Sequence, residues 1–387
     1  MKAVGIVIEH NPFTNGHKLH IENTKKLSNA DVVVGVMSSF FVQRGEPSII
    51  SKEERAKMAI DAGVDLLVEL PTIYAVESSD YFCKYAISIL NKLKVNSVCF
   101  GSETGNSEEF LRKYSETEIV QPHLDFLVSD LMDEGMSYPS AMSKALSIMD
   151  AYRAETPNDI LGLGYLKEIR KNHYDIDVLT YKREGNYNDE EISDGKVSAS
   201  ALRKLIKEGK DFSTYTPYFK KINEADKYYL DDYFTYLKHK LLTTTSEELA
   251  TIHLVNEGIE NLFKKQIIEA TSMNDFIEKC ISKRYTYARI KRTIIHILLN
   301  TKKDFAKEVL SKDVTYIRIL ATNKKGQEYL NEIRKDVEVP ILSKFRGNAY
   351  PVLQFEKQAN LVYHIIKDQE KINLEYRKEH YLYPIRK

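Results

Sequence analysis

The segment Glu9-His10-Asn11-Pro12-Phe13-Thr14-Asn15-Gly16-His17-Lys18-Leu19-His20 crowds polar side chains and one glycine onto a single turn, between an apolar run and the onset of a helical pattern. The chemistry such a turn can do is phosphate binding. A helix N-terminus presents unpaired N–H groups and about half a positive charge, Gly16 lets backbone approach closely, and His17 with Lys18 can add charge-assisted donors. The segment contains no Walker sequence, so the cradle is read from the whole turn. The spacing of His17 and His20 could place a metal on one helix face, but no third ligand accompanies them and no resident metal is expected; His20 also reads as a cap or as packing against a sheet.

A second stretch lies late in the chain. Lys283-Arg284-Tyr285-Thr286-Tyr287-Ala288-Arg289-Ile290-Lys291-Arg292 combines five basic side chains with two tyrosines and no acid. Helical spacing brings Arg289 near Arg292, and the face reads either as phosphate contacts to RNA with a stacking tyrosine or as a solvated helix face. Lys324-Lys325 and Lys344-Phe345-Arg346 would extend it. The loop Gln43-Arg44-Gly45-Glu46-Pro47 is read with two roles open, stabilising a turn or touching a substrate. Gly162-Leu163-Gly164 lacks the third glycine of a dinucleotide fingerprint and sits in a helical pattern, so that reading is dropped. Cys83, Cys99 and Cys280 form no C-x-x-C pair and have no partnered nucleophile arrangement, which predicts buried thiols in a reducing compartment.

These groups need elements to hold them. Ala3 to Ile8, Asp31 to Met37, Val64 to Leu70, Ser97 to Gly101 and Ile176 to Leu179 read as strands alternating with amphipathic helices, the mark of a parallel α/β sheet whose ligands sit beyond the carboxyl ends of its strands. Ser51-Lys52-Glu53-Glu54 reads as a capping box, with that helix stopping at Gly63. From about residue 205 the texture turns helical, over Leu230 to Leu242, Leu249 to Gly258, Asn274 to Lys283 and Tyr287 to Leu299. Across 387 residues the net charge is zero, yet residues 201–387 carry about +10 and the first 200 about −10, which suggests a polyanionic partner for the second half as readily as solvated helices. No apolar run approaches the ~18 residues that span a bilayer, and the first apolar run lacks a cleavage site, so it is read as a strand rather than a signal peptide. A cytoplasmic location is expected, and no protein partner is deducible.

Thr14-Asn15-Gly16-His17 resembles the [H/T]-x-G-H signature of the nucleotidyltransferases related to class I aminoacyl-tRNA synthetases. Val197-Ser198-Ala199-Ser200-Ala201-Leu202-Arg203 resembles their second signature, whose hydroxyls and guanidinium could grip β- and γ-phosphates; Ala199 and Ser200 depart from it, which leaves Ser198 and Arg203 as the stronger members. Adding Phe41 to Pro47, Glu69-Leu70-Pro71, Phe100-Gly101-Ser102-Glu103 and Pro157 to Leu161, nearly the whole chain resembles the bacterial tRNA(Met) cytidine acetate ligase family. The resemblance implies an α/β fold: a Rossmann-like nucleotidyltransferase core over 1–205 binding ATP and acetate, then a mostly α-helical portion over 206–387 that docks tRNA. It implies an ATP site of Val7, Ile8 and Glu9 to His20, with Gly101, Asn158 and Arg183, to which Lys182 is added. Asn158 also reads as a helix N-cap.

The implied reaction is acetate plus ATP giving acetyl-AMP and pyrophosphate, followed by acetyl transfer to N4 of the wobble cytidine of elongator tRNA(Met). Thr14, His17 and Arg203 are the expected catalytic residues, stabilising charge on the leaving pyrophosphate, with Mg²⁺ expected on the phosphates. Two other readings are a small-molecule amide ligase or adenylyltransferase, and a non-catalytic RNA-binding protein with a nucleotide pocket.

Overall fold

Strands that are apolar at nearly every position need cover on both faces, and the pleat sends alternate side chains to opposite sides. In the computed structural model Ala3, Val32, Val34, Val36, Leu66 and Val68 enter one core, while Val4, Ile6, Ile8, Val33, Met37 and Leu67 enter the other. The structure describes residues 1–136, 138–149, 156–183, 197–343, 350–367, 369–373, 376 and 385–386. Lys344, Phe345 and Arg346 lie outside the described residues.

The strands are β1 (Ala3–Ile8), β2 (Val32–Ser38), β3 (Phe41–Val42), β4 (Glu46–Pro47), β5 (Leu66–Leu70), β6 (Ser97–Ser102), β7 (Asp177–Lys182), β8 (Ile317–Thr322), β9 (Ile341–Leu342) and β10 (Ile385–Arg386). One sheet runs in the order β10-β8-β5-β2-β1-β6-β7, with β9 beside β8, and β3 and β4 form a separate antiparallel hairpin. The neighbours β5, β2, β1, β6 and β7 are mutually parallel. In chain order this is third-second-first-fourth-fifth, the doubly wound arrangement, and its order reverses between β1 and β6. The crevice beyond that point is therefore where a ligand is sought.

All five expected strands form, with ends within about three residues. Three local readings change. The Leu249–Gly258 pattern is not helical: the turn Ser246–Leu249 stops, Leu254, Glu257 and Gly258 take left-handed φ of 63°, 58° and 84°, and the next helix starts at Ile259. The segment from residue 206 onward also returns to the sheet, because β8 pairs antiparallel with β5 through Leu66–Thr322 and Leu67–Ala321. Finally, Ser51 caps its helix by accepting from the Glu54 N–H at 3.3 Å, whereas the Glu54 carboxylate meets Lys57 at 2.7 Å. Gly63, at φ 110°, follows the end of that helix.

The later helices build their own core around Leu237, Leu241, Phe263, Phe276, Ile290 and Ile294. Their neighbours Ile295 and Leu299 join the core of the sheet. No described helix is long and apolar enough to cross a membrane.

Candidate active site

β1 ends at the reversal point, and the helix Asn15–Ser28 begins seven residues after Ile8. Thr14 is its N-cap, in extended conformation, and the cap is reciprocal: Thr14 Oγ1 accepts from the His17 N–H at 3.3 Å while the Thr14 N–H donates to His17 Nδ1 at 3.0 Å. A ring nitrogen that accepts cannot carry the proton. Nε2–H is therefore the donor that His17 has left to offer. Loss of hydration lowers the His17 pKa to about 3, with the positive field of Arg183 and the proximity of His20 adding to it, so the ring is neutral near pH 7.

A Cβ built on Gly16 would meet only Thr14 Oγ1, at 3.5 Å, an ordinary contact. The chain itself does not require a glycine there; a ligand resting on the helix N-terminus would. Gly16→Val should therefore leave the thermal midpoint within a degree or two of the parent while weakening ATP binding at least about tenfold. Calorimetric titration checks this, and an unchanged ATP affinity would remove Gly16 from the cradle.

His10 forms the floor. It is buried at φ 47°, its ring lies 4.6 Å from that of Phe13 and 4.7 Å from that of His17, and neither ring nitrogen has a hydrogen-bond partner. Such an imidazole is where a ligand's polar atom is missed. The other members of the segment hold the turn. Arg55 donates to the Glu9 carbonyl at 2.8 Å, Asn11 Oδ1 accepts from the Ile49 N–H at 2.7 Å, Phe13 packs edge-on to Tyr218, and Asn15 Nδ2 donates to the Thr214 carbonyl. Lys18 is exposed and lies 3.9 Å from Glu22, and Leu19 is half-buried. His20 Nδ1 meets the Tyr181 hydroxyl at 2.9 Å, and burial, then Arg183, lowers its pKa to about 4. Val7 and Ile8 are the last strand residues beneath the cradle.

The opposite wall comes from β6 and β7. Gly101 leaves room beside Tyr181, whose hydroxyl a Cβ would approach to 3.2 Å. Asn158 is not the N-cap of its helix. That position is Thr156, followed by Pro157, and Asn158 Nδ2 instead donates to Glu103 Oε1. The neighbouring Asp159 holds the loop, accepting from Ser102 and from both the N–H and the hydroxyl of Thr104. Arg183 Nη1 lies 3.9 Å from the same Glu103 oxygen, while Glu103 Oε2 is buried without a hydrogen-bond partner. Lys182 is exposed at the end of β7.

The second signature closes the site. Ser198 caps the helix Ala199–Lys207, accepting from the Ala201 N–H at 3.1 Å. Arg203 Nη1 donates to the Asn11 carbonyl at 2.7 Å, and Nη2 to Ser200 Oγ at 3.2 Å and to Glu46 Oε2 at 3.2 Å. Two segments far apart in sequence thus meet at the cradle. Glu46, Glu103 and Tyr181 were not among the expected site residues. The first two stand in the motifs Gln43 to Pro47 and Phe100 to Glu103, but only tertiary contact assigns them partners.

The basic stretch Lys283 to Arg292 does not form one open face. Lys283 and Arg284 are exposed, but Arg289 is half-buried, paired with Glu257 at 3.1 Å and lying over the Tyr285 ring. Lys291 is 3% exposed and ion-paired with Glu46, which corrects its reading as a surface contact, and Arg292 beside it is half-buried, its backbone against Gly45. Tyr285 is buried, leaving Tyr287, 49% exposed, as the stacking candidate. Among the described residues, Glu77, His253 and His296 form a cluster with metal-ligand composition. Its polar atoms are already engaged: His253 pairs with Glu77, His296 Nε2 must donate to the Val76 carbonyl at 2.9 Å, and Nδ1 takes the Thr301 hydroxyl. The cluster straps the loop after β5 to the later helices. The three cysteines are free and buried, and burial raises each thiol pKa, to about 11 for Cys99 and about 12 for Cys280.

Residues 1–378 match the family described as HIGH Nucleotidyl Transferase. The chain is 39% identical over 378 residues to the tRNA(Met) cytidine acetate ligase of Anoxybacillus flavithermus, covering 94% of each. It is also 39% identical over 388 residues to that of Listeria monocytogenes, covering 96% of each. The crystal structure of Thermotoga maritima TmcAL bound with alpha-thio ATP superposes with a TM-score of 0.89 at 28% identity, covering 100% of both chains.

Proposed function

The chain belongs to the HIGH nucleotidyl transferase family, with the tRNA(Met) cytidine acetate ligases, and on that footing we propose how its residues carry out the ligase reaction. It is an ATP-dependent enzyme. Acetate attacks the α-phosphorus of ATP, the bond to pyrophosphate breaks, and acetyl-AMP forms; N4 of the wobble cytidine of elongator tRNA(Met) then attacks the acetyl carbonyl and AMP leaves. Adenylylation is needed because a carboxylate has no good leaving group and the conjugated cytidine amine is a weak nucleophile.

The observation that carries the residue assignment is the Thr14–His17 cap, which leaves a neutral imidazole with its Nε2–H at a helix N-terminus, at the reversal point of the sheet. His17 is the donor to the charge growing on pyrophosphate, Thr14 fixes its tautomer, and Arg203 with Ser198 holds the outer phosphates. Asn158, Arg183 and Gly101 bind the nucleotide on the far side. Mg²⁺ would arrive on the phosphate oxygens, and the unpartnered Glu103 Oε2 fits as an acceptor for its waters. The enzyme works in the cytoplasm, where its tRNA is.

Residues 206–387 are assigned to tRNA docking, led by Lys283, Arg284, Arg289 and Tyr287. Replacing Lys283, Arg284 and Arg289 with alanine should weaken tRNA binding and lower the slope of log affinity against log salt by about one for each phosphate no longer neutralised. A slope equal to the parent's would move the docking surface elsewhere.

Transfer of labelled acetate into RNA, with ATP and Mg²⁺, tests the whole reading, the label being located by nucleoside mass spectrometry. Label on cytidine N4 of elongator tRNA(Met) supports it. Acetate-dependent AMP release without labelled RNA would favour a small-molecule ligase, and no AMP at all an RNA-binding protein with a nucleotide pocket.

A further inference from the structure

The hairpin formed by β3 and β4 belongs neither to the sheet nor to the later helices, yet it is fixed to both. At the first residue of its turn the Gln43 N–H donates to Glu9 Oε1 at 2.8 Å, directly beyond β1. At its tip Gly45 has φ 73°, and a Cβ there would lie 2.4 Å from the Arg292 nitrogen and 2.5 Å from the Lys291 carbonyl carbon. The tip therefore rests backbone to backbone on the helix Tyr287–Leu298, an approach that only glycine allows.

The next residue, Glu46, divides its two oxygens. Oε2 meets Arg203 at 3.2 Å, and Oε1 meets Lys291. The two partners differ in what they can do. The Lys291 side chain is 4% exposed, and a buried ammonium deprived of this carboxylate would be left uncompensated, so it holds Glu46 in place. The Arg203 side chain is 20% exposed, with its other edge on the Asn11 carbonyl, at the floor of the cradle. Burial alone would raise the Glu46 pKa, but Arg203 and Lys291 outweigh it and keep the group ionised.

We propose that Glu46 is a positioning residue for acetyl-adenylate formation: clamped by Lys291 of the later helices, it sets the Arg203 guanidinium for the triphosphate, so that the ATP site depends on the seating of the helix Tyr287–Leu298. A guanidinium already held by the Asn11 carbonyl, Ser200 and Glu46 loses little freedom when phosphate oxygens reach it. Without the carboxylate the same cation still attracts ATP but is no longer aimed. Binding should survive and the chemical step should suffer.

The proposal rests on the acetate-activating reading above, and the test separates the two. Acetate-dependent ATP–pyrophosphate exchange is measured against ATP concentration for the full chain and for Glu46→Gln, Glu46→Asp, Lys291→Met and the Glu46→Gln/Lys291→Met pair. Fluorescent-ATP titration gives the binding-competent fraction of each. Per competent site, Glu46→Gln should lower kcat about tenfold with KM for ATP within about twofold, and Glu46→Asp should recover part of the loss. Lys291→Met should lower kcat by a smaller factor, and the double variant should be no slower than Glu46→Gln, because both changes act through one carboxylate. Parental kcat in both Glu46 variants, a loss confined to KM, or multiplicative losses in the double variant would each overturn the proposal. An inactive parent would overturn the reading it rests on.

Discussion

His17→Ala is expected to slow acetate-dependent ATP–pyrophosphate exchange by about 10² to 10³, the usual consequence of deleting one preorganised donor to a developing oxyanion. The size follows from preorganisation. Because the Thr14 N–H occupies Nδ1 at 3.0 Å, the imidazole reaches the phosphates already in one tautomer and one orientation. Because its pKa lies near 3, no proton must be lost or gained before it donates. The same cap implies that Thr14→Val should reproduce part of the loss by unfixing the ring, although the Thr14 backbone N–H remains. Affinity for tRNA should change less than about twofold in His17→Ala, since His17 sits at the cradle and not among the later helices. An exchange rate equal to the parent's would take His17 out of the mechanism.

Glu69→Ala is expected to cost about 3–5 kcal/mol of folding stability, a large part of the roughly 5–15 kcal/mol that holds a typical domain together. Glu69 lies at the end of β5, fully enclosed. Arg318 Nη1 from β8 reaches its two oxygens at 3.0 and 2.9 Å, and Lys52 Nζ lies 2.9 Å away. Alanine would leave two buried cations facing Glu356, whose nearest oxygen is 4.0 Å from Lys52 and already takes Ser39 and Thr72. Urea unfolding checks the magnitude, and a change below about 1 kcal/mol would mean the network contributes little. Its pH dependence has a definite sign. Burial would raise the Glu69 pKa, but Arg318 and Lys52 bring it down to about 2 from 4.5, so its stabilisation is full above pH 4.5 and lost as pH falls toward 2. Glu356 shifts the other way, upward, through burial and the nearby Glu69 charge. The parent should therefore show an acid loss between pH 4.5 and 2 that Glu69→Gln lacks.

This network also explains the strand that sequence reading passed over. Ile317–Thr322 carries an arginine at its second position, which in an isolated reading marks a polar edge within a helical region. Arg318 is 3% exposed because Glu69 faces it from a strand about 250 residues earlier, and no local pattern contains that pairing. The Leu249–Gly258 segment failed in the opposite direction. Leu249, Ile252, Val255 and Ile259 repeat at helical spacing and all are buried, yet left-handed backbone at Leu254, Glu257 and Gly258 and the bridge of Ile252 to Lys302 turn Ile252 and Val255 inward without a helix. Periodicity reports which side chains are buried, not the backbone that buries them.

The sequence by itself determined the turn that opens the cradle and which early runs become strands, because both are written in neighbouring residues. A β-branched run, a polar turn with a capping threonine and a glycine, and a helix lie within the first 28 residues, and the cap that starts the helix joins Thr14 to His17, three residues apart. The family resemblance lay in the same short motifs. Only the tertiary structure decided the charges. Lys291 sits in a basic run and reads as surface, but Glu46 lies 245 residues away and buries it. Asn158 reads as a cap, but Glu103 draws its side chain toward Arg183. A charged side chain is buried or exposed according to whether an opposite charge meets it there, since desolvation costs more than a lone ion can recover.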